Sequence, residues 1–177
     1  MDLLDHMHRT AFLGTEFLTW LWYHSQLDDG EFRLNRDVEF GPFELWFEDK
    51  LVVSAVAINA MENLFKGGQP ADSLEARTAL RLGKMASEAK LRIVRGAQEW
   101  AFTFKAQGLV MASVRIPAVL SKEDDDRFYE RMFLTEQLDH MMKGLFGQFL
   151  ELRLSAAWAT TELPALQRWT AGAGAEA

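Results

Sequence analysis

Residues 72–117 read DSLEARTALRLGKMASEAKLRIVRGAQEWAFTFKAQGLVMASVRIP, and this stretch decides the fold. Its first part, 72–82, predicts a helix, because Asp72 can accept the amide hydrogen of Glu75 and the Glu75 side chain can reach back, as in a capping box. Gly83 then ends the helix, since glycine adopts positive φ without steric cost.

Three runs with apolar residues at every second position follow this helix. They are Ala89–Val94, Glu99–Lys105 and Leu109–Ile116. A period of two predicts strands with one buried face, and the short turns between the runs make consecutive strands antiparallel neighbours. The stretch therefore predicts a helix and a three-stranded meander, whose apolar face the rest of the chain must cover.

The segment before this stretch supplies another helix and further strands. Thr10–Gln26 predicts a helix that is apolar nearly all round, which suits burial on several sides better than stacking on nucleic-acid bases. A turn is predicted at 48–50 and a loop at 63–71. The predicted strands are Glu31–Arg36, Phe43–Phe47 and Leu51–Ala60.

A long amphipathic helix is predicted from Asp126 to about Leu154, and a short helical segment interrupted near Pro164 follows it. The acidic run that precedes the long helix suits the positive end of the helix dipole. Its apolar residues recur at spacings near three and four, and they are Phe128, Met132, Leu138, Met142, Leu145, Phe149 and Leu152.

These elements predict one α+β domain over residues 1–177. An antiparallel sheet of about five to six strands is packed by the N-terminal helix, the central helix and the long C-terminal helix. The hydrophobic fraction of 49% suits a packed core. Residues 1–9 and 170–177 are expected to be flexible, because chain termini are ordered only where they are tied down.

Composition limits location and chemistry. The chain contains no cysteine, which excludes disulfides and thiolate chemistry. No apolar run approaches the roughly 20 residues of a membrane helix, and the first residues lack the basic and apolar regions of a secretory signal. We therefore predict a cytoplasmic protein without a membrane partner, associated with the nucleoid if it binds DNA.

Charge is distributed unevenly along the chain. The net charge is −7, but nine basic and four acidic residues lie between Leu64 and Ile116, so this segment carries +5 and the remainder −12. We expect either an ordinary solvated surface or a basic face on an otherwise acidic protein. On a basic face, the phosphate-binding candidates are Lys66, Gln69, Arg77, Arg81, Lys84, Lys90 and Arg92.

Catalytic and metal-binding patterns are weak in this sequence. Glu136, Asp139 and His140 have the helical spacing of metal ligands, but no facing ligands are evident. Asp5, His6 and His8 could also bind a metal, but ordering the chain terminus around it would cost conformational entropy. The sequence also lacks a nucleophile elbow and a dinucleotide fingerprint. We predict no cofactor, no metal and no enzymatic activity. A less favoured hypothesis is an enzyme that uses a metal bound by Glu136, Asp139 and His140.

Several short motifs resemble the second half of the RdgC family, the recombination-associated proteins of bacteria. The resemblance begins near Phe43, is clearest from Ser73 to Met85, and covers somewhat more than half of the chain. It continues through Leu91-Arg92-Ile93, Phe102-Thr103-Phe104, Val114-Arg115-Ile116 and the acidic lead Asp124-Asp125-Asp126-Arg127-Phe128 into the last long helix.

The resemblance implies a non-enzymatic protein that forms ring-like homodimers around duplex DNA, binds it with little sequence preference and restrains the strand-exchange recombinase. It also implies that Lys66–Gln69 corresponds to the family's basic loop before the helix. Gln69 occupies a matching place, whereas Gly68 stands where the family has lysine. The family's N-terminal half has no counterpart in this sequence.

Two hypotheses of different classes follow. The first is a DNA-associated recombination accessory protein that binds the backbone of double-stranded DNA without sequence specificity, through the seven candidates named above. The alternative is a protein-interaction module without direct DNA binding, whose aromatic and methionine surfaces dock a partner. That partner is either a second copy of the chain or a separately encoded chain similar to the N-terminal half of RdgC.

Overall fold

The computed structural model describes residues 3–55 and 62–172, with side chains from Leu13 onward. In these residues, six strands form one antiparallel sheet, and the helices pack on one of its faces, so the predicted α+β fold is confirmed. The helices are α1 (Leu3–Ser25), α2 (Leu74–Arg81), α3 (Asp124–Arg153) and α4 (Leu163–Thr170). The strands are β1 (Glu31–Phe32), β2 (Phe43–Ala55), β3 (Glu62–Lys66), β4 (Lys84–Arg95), β5 (Gln98–Lys105) and β6 (Val110–Arg115).

Strand β4 lies at the centre of the sheet. The strand order is β1-β2-β4-β5-β6, and β3 pairs with β2. Strands β4, β5 and β6 form the predicted meander, in which Leu91 lies opposite Phe102 and Thr103 lies opposite Ala112. Because Leu91 and Phe102 are buried, the apolar side of the alternation in β4 and β5 faces the core as expected. In β6 this prediction is wrong, since Val110 and Val114 are exposed and Met111 packs against the core.

Two predictions for the segment around β2 and β3 are wrong. The predicted turn at 48–50 lies within β2, which passes it with a shift in register between Phe47 and Leu51. The predicted loop at 63–71 begins as β3, which pairs antiparallel with the end of β2. The register between β2 and β4 skips residues 48–50, which form a bulge, while Lys50 pairs with Lys66 of β3 and the carbonyl oxygen of Asp49 accepts a hydrogen bond from the amide of Gly67. The strand predicted at 31–36 is also shorter, since β1 contains only Glu31 and Phe32.

Helix α2 begins two residues later than predicted. Residues 70–72 form a short 3₁₀ turn, and Ser73 rather than Asp72 caps the helix. The Ser73 hydroxyl oxygen accepts a 3.2 Å hydrogen bond from the amide of Ala76, and its own hydrogen is donated to Glu75. Aspartate and serine are about equally good N-caps, so the sequence alone does not separate the two.

Helix α1 lies across the covered face of the sheet. Its Trp20 and Trp22 side chains are both buried, and the indole nitrogen of Trp22 donates a hydrogen bond to the carbonyl oxygen of Ala71. The Thr19 hydroxyl accepts a hydrogen bond from the amide of Ala86 in β4. The core role predicted for this helix is therefore confirmed for its described side chains.

Candidate protein-docking site

The long helix α3 changes its surroundings at Leu134. From this residue onward one side of the helix is buried, through Leu134, Leu138, Met141, Met142, Leu145 and Phe149. Along α3, which the structure describes in full, no residue before Leu134 is buried. The first turns of α3 therefore project beyond the core.

Four large apolar side chains lie exposed on this projecting part. They are Phe128, Tyr129, Met132 and Phe133, which are 45–66% exposed and are called the α3 strip below. At about 100° per residue the strip spans an arc of about 140°, and its centre lies about 160° around the helix from the centre of the buried face. The strip therefore faces away from the core of its own chain.

This geometry corrects the sequence prediction for α3. A single amphipathic face was expected to include Phe128 and Met132 together with Leu138 and later residues. Spacings of three and four allow the apolar face to drift around the helix, so residues near opposite ends need not share a side. The helix instead carries two apolar faces, one buried after Leu134 and one exposed before it.

The carboxylate of Glu130 ties the start of α3 to the preceding segment. It accepts hydrogen bonds from the backbone amides of Leu120 and Ser121 at 2.9 and 2.8 Å. The hydrogen bond from the Ser121 side chain, followed by those from the two amides, lowers the pKa of Glu130 below its ordinary value of 4.5. Leu120 itself is 83% exposed and adds apolar surface at this end of the molecule.

Unpaired carboxylates stand at both ends of the α3 strip. Asp125 precedes Tyr129 by four residues and Glu136 follows Met132 by four, so both acids share the helix face of the strip. Both are exposed, and neither forms an ion pair with a side chain in residues 13–55 and 62–172. The strip is therefore an apolar patch with a free negative charge at each end.

Two of the predicted DNA-binding residues are neutralised by carboxylates. Lys90 and Arg92 project from the sheet face opposite the helices, because the alternate residues of β4 are buried. Lys90 pairs with Asp49 at 2.9 Å, and the hydrogen bond from Lys90 is the main cause of a lowered pKa at Asp49. Arg92 pairs with Glu48 at 2.6 Å and with Glu99 at 3.6 Å. These pairs reduce the positive charge that a phosphate would meet.

The other five candidates lie on α2, in the segment before it, at the end of β3 opposite Lys50 and at the start of β4 opposite Ala55. They are Lys66, Gln69, Arg77, Arg81 and Lys84. Lys84 donates a hydrogen bond to the side-chain oxygen of Asn63, and the Nε atom of Arg77 is buried without a hydrogen-bond partner. Lys66 and Arg81 are exposed and have no carboxylate partner among the side chains described. The seven candidates therefore do not gather on one concave face.

The candidate metal ligands on α3 are separated by other contacts. Asp139 pairs with Lys143 at 2.6 Å, and His140 contacts Asp37 at 3.0 Å, which leaves Glu136 alone. In the part of the chain whose side chains are described, no group of three ligating residues could hold a metal ion. The acid and histidines within residues 5–8 lie outside that part.

Fold and site together define an α+β protein whose longest helix presents an apolar strip to solvent. Comparison with known protein families, with curated proteins and with solved structures finds no match to this chain. The resemblance to the RdgC family, which was drawn from short motifs, stays a prediction. Among the described helices, none combines the length and the apolar character needed to cross a bilayer.

Proposed function

We propose that this chain is a protein-association module that docks another polypeptide on the α3 strip. The observation that carries the proposal is the position of Phe128, Tyr129, Met132 and Phe133 on the side of α3 that faces away from the core. Large exposed apolar patches on folded proteins mark interaction sites, and aromatic residues are the commonest anchors at such interfaces.

The size of the strip agrees with this role. At roughly 200 Å² for each large side chain, the four residues expose about 450 Å², which lies within the range of the largest patch on a typical monomer. Covering that area contributes about 11 kcal/mol at 25 cal/mol/Å², which is comparable with the cost of association. The strip therefore supports a reversible complex, and contacts from Leu120 and the polar rim bring it towards the roughly 800 Å² that each partner contributes to a standard interface.

Photo-crosslinking in cells tests this proposal. A photoreactive phenylalanine analogue replaces Met132 in one variant and Val38 in another, since Val38 is exposed but lies outside the strip. The expected result is a discrete adduct from position 132 and none from position 38. Equal adducts from both positions, or none from position 132, would contradict the proposal. The mass of the adduct distinguishes a second copy of the chain from a different partner.

A second candidate function is binding of the DNA backbone through exposed cations of α2 and β3. The observation that favours it is the exposure of Lys66 and Arg81 without a neighbouring carboxylate among the described residues. Such cations can contact phosphates independently of base sequence. The test is a gel-shift assay with duplex DNA at low salt, in which absence of retardation removes this candidate.

A further inference from the structure

We infer that the partner docked on the α3 strip is an amphipathic helix of a different polypeptide, with a basic residue one turn beyond each end of its apolar face. This inference rests on the proposed function and specifies the chemistry of the partner.

The shape of the strip favours a helical partner. Its residues form two adjacent pairs, Phe128-Tyr129 and Met132-Phe133, which repeat after four positions along one helix. Side chains in such rows form ridges and grooves that interdigitate with the corresponding rows of a second helix. A helix of two to three turns would cover the strip along its whole length.

The two end carboxylates determine the charge of that partner. Asp125 and Glu136 are eleven residues apart, and a rise of 1.5 Å per residue places them about 16 Å from each other along the same face. Both are exposed and lack an ion pair among the side chains that the structure describes, from Leu13 onward. A helix that buries the strip brings its own flanking residues against these two acids, so lysine or arginine at those positions is favoured and acidic residues are excluded.

The same charges argue against a second copy of the chain as the occupant. Residues 120–136 contain six acidic and three basic side chains, a net charge of −3, and the whole chain carries −7. Two copies that met through this segment would bring like charges together around the strip. A basic partner is instead attracted by the acidic rim, which raises both its rate of association and the stability of the complex.

Fluorescence anisotropy with two synthetic helical peptides tests the inference on the full chain. Both peptides carry four leucines with the spacing of the strip, and one has a lysine one turn beyond each end where the other has glutamate. We expect the lysine peptide to bind about tenfold more tightly at physiological salt. The double variant Asp125→Asn/Glu136→Gln should remove most of that preference, whereas the matched control Asp72→Asn/Glu39→Gln, which alters the net charge equally, should retain it. Phe128→Ser/Phe133→Ser should abolish binding of both peptides.

Each other outcome overturns the inference in a recognisable way. Equal affinity for the two peptides, or equal effects of the two charge variants, would show that the end carboxylates do not select the partner. Sedimentation velocity that reveals a dimer abolished by Phe128→Ser/Phe133→Ser would assign the strip to a second copy. In each case the photo-crosslink from position 132 reports separately on whether the strip docks a polypeptide, so failure of the inference is distinguishable from failure of the proposed function.

Discussion

The indole nitrogen of Trp100 donates a 2.9 Å hydrogen bond to the carbonyl oxygen of Leu134, at the residue where α3 passes from its exposed part to its buried part. Trp100 is fully buried in β5, in the middle of the meander. The contact therefore fixes the position along α3 at which the helix leaves the core, and with it the length of helix that carries the strip into solvent.

Replacing Trp100 by phenylalanine is expected to destabilise the fold by about 2–4 kcal/mol, because a buried hydrogen bond is lost and a cavity forms beside α3. Urea denaturation followed by circular dichroism measures the change. Trp46→Phe is the control, since Trp46 is only half-buried and its indole donates to the exposed Glu44. A loss at position 46 as large as that at position 100 would contradict the role assigned to the Trp100 contact.

Gly14 and Gly147, both within helices, are expected to respond oppositely to alanine. A Cβ atom on Gly14 would lie 1.9 Å from the carbonyl oxygen of Ala106, whereas nothing lies within 4 Å of a Cβ on Gly147. Gly14→Ala should therefore cost about 3 kcal/mol through overpacking against backbone, while Gly147→Ala should be neutral or stabilising by up to about 1 kcal/mol. Thermal and urea unfolding of the two variants measure the difference. Equal stability would mean that α1 does not approach the turn after β5 this closely.

Protonation of Glu130 is expected to release the segment before α3. The folded pKa of this carboxyl lies below its ordinary value of 4.5, so the contribution of the charged form is fully present above that value and is lost as the pH falls through the lower folded pKa. Hydrogen exchange at the amides of Leu120 and Ser121, measured by NMR on both sides of this range and corrected for intrinsic rates, should show reduced protection in acid. Glu130→Gln should remove this pH dependence and Glu136→Gln should keep it. An unchanged acid transition in Glu130→Gln would assign it to another group.

If the chain binds the DNA backbone, its affinity for DNA should depend more on the cations without carboxylate partners than on those paired with carboxylates. Lys66→Ala/Arg81→Ala should weaken binding about tenfold at low salt and reduce the slope of log K against log salt by about two. Lys90→Ala/Arg92→Ala should have a smaller effect, because both side chains already pair with acids in the free protein. The reverse order of effects would place DNA on the open face of the sheet instead.

Most of the fold was predictable from the sequence because its local patterns agree with its tertiary contacts. The alternation through β4 and β5 and the dense apolar content of α1 each predicted the observed burial, whereas in β6 Val110 and Val114 are exposed and Met111 packs against the core. The failures occurred where tertiary pairing overrides local preference. The polar residues at 48–50 lie within β2 as a bulge, because the strand pairs with β4 on both sides of them, and β3 forms because it pairs with the end of β2.

The docking site was only partly predictable. The sequence suggested aromatic and methionine surfaces, but Met141 and Met142 are buried whereas Met132 is exposed, and only the position at which α3 leaves the core separates them. One signal was present in the sequence. The adjacent pairs 128–129 and 132–133 lie on the opposite side of a helical wheel from Leu138 and Leu145, which already indicates two apolar faces. The pairing of Lys90 and Arg92 with acids from β2 and β5 required the register of the sheet, which the sequence did not provide.

The central claim is that the α3 strip docks another polypeptide, and the adduct yield from a photoreactive residue at position 132 tests it most directly. The yield is compared between Phe128→Ser/Phe133→Ser and the control variant Val38→Ser/Leu154→Ser, in which two exposed apolar residues outside the strip are changed. We expect the adduct to disappear in the first variant and to persist in the second, with both variants as stable as the parent chain because none of the four side chains is buried. Persistence of the adduct in Phe128→Ser/Phe133→Ser, or its loss in both variants, would contradict the claim.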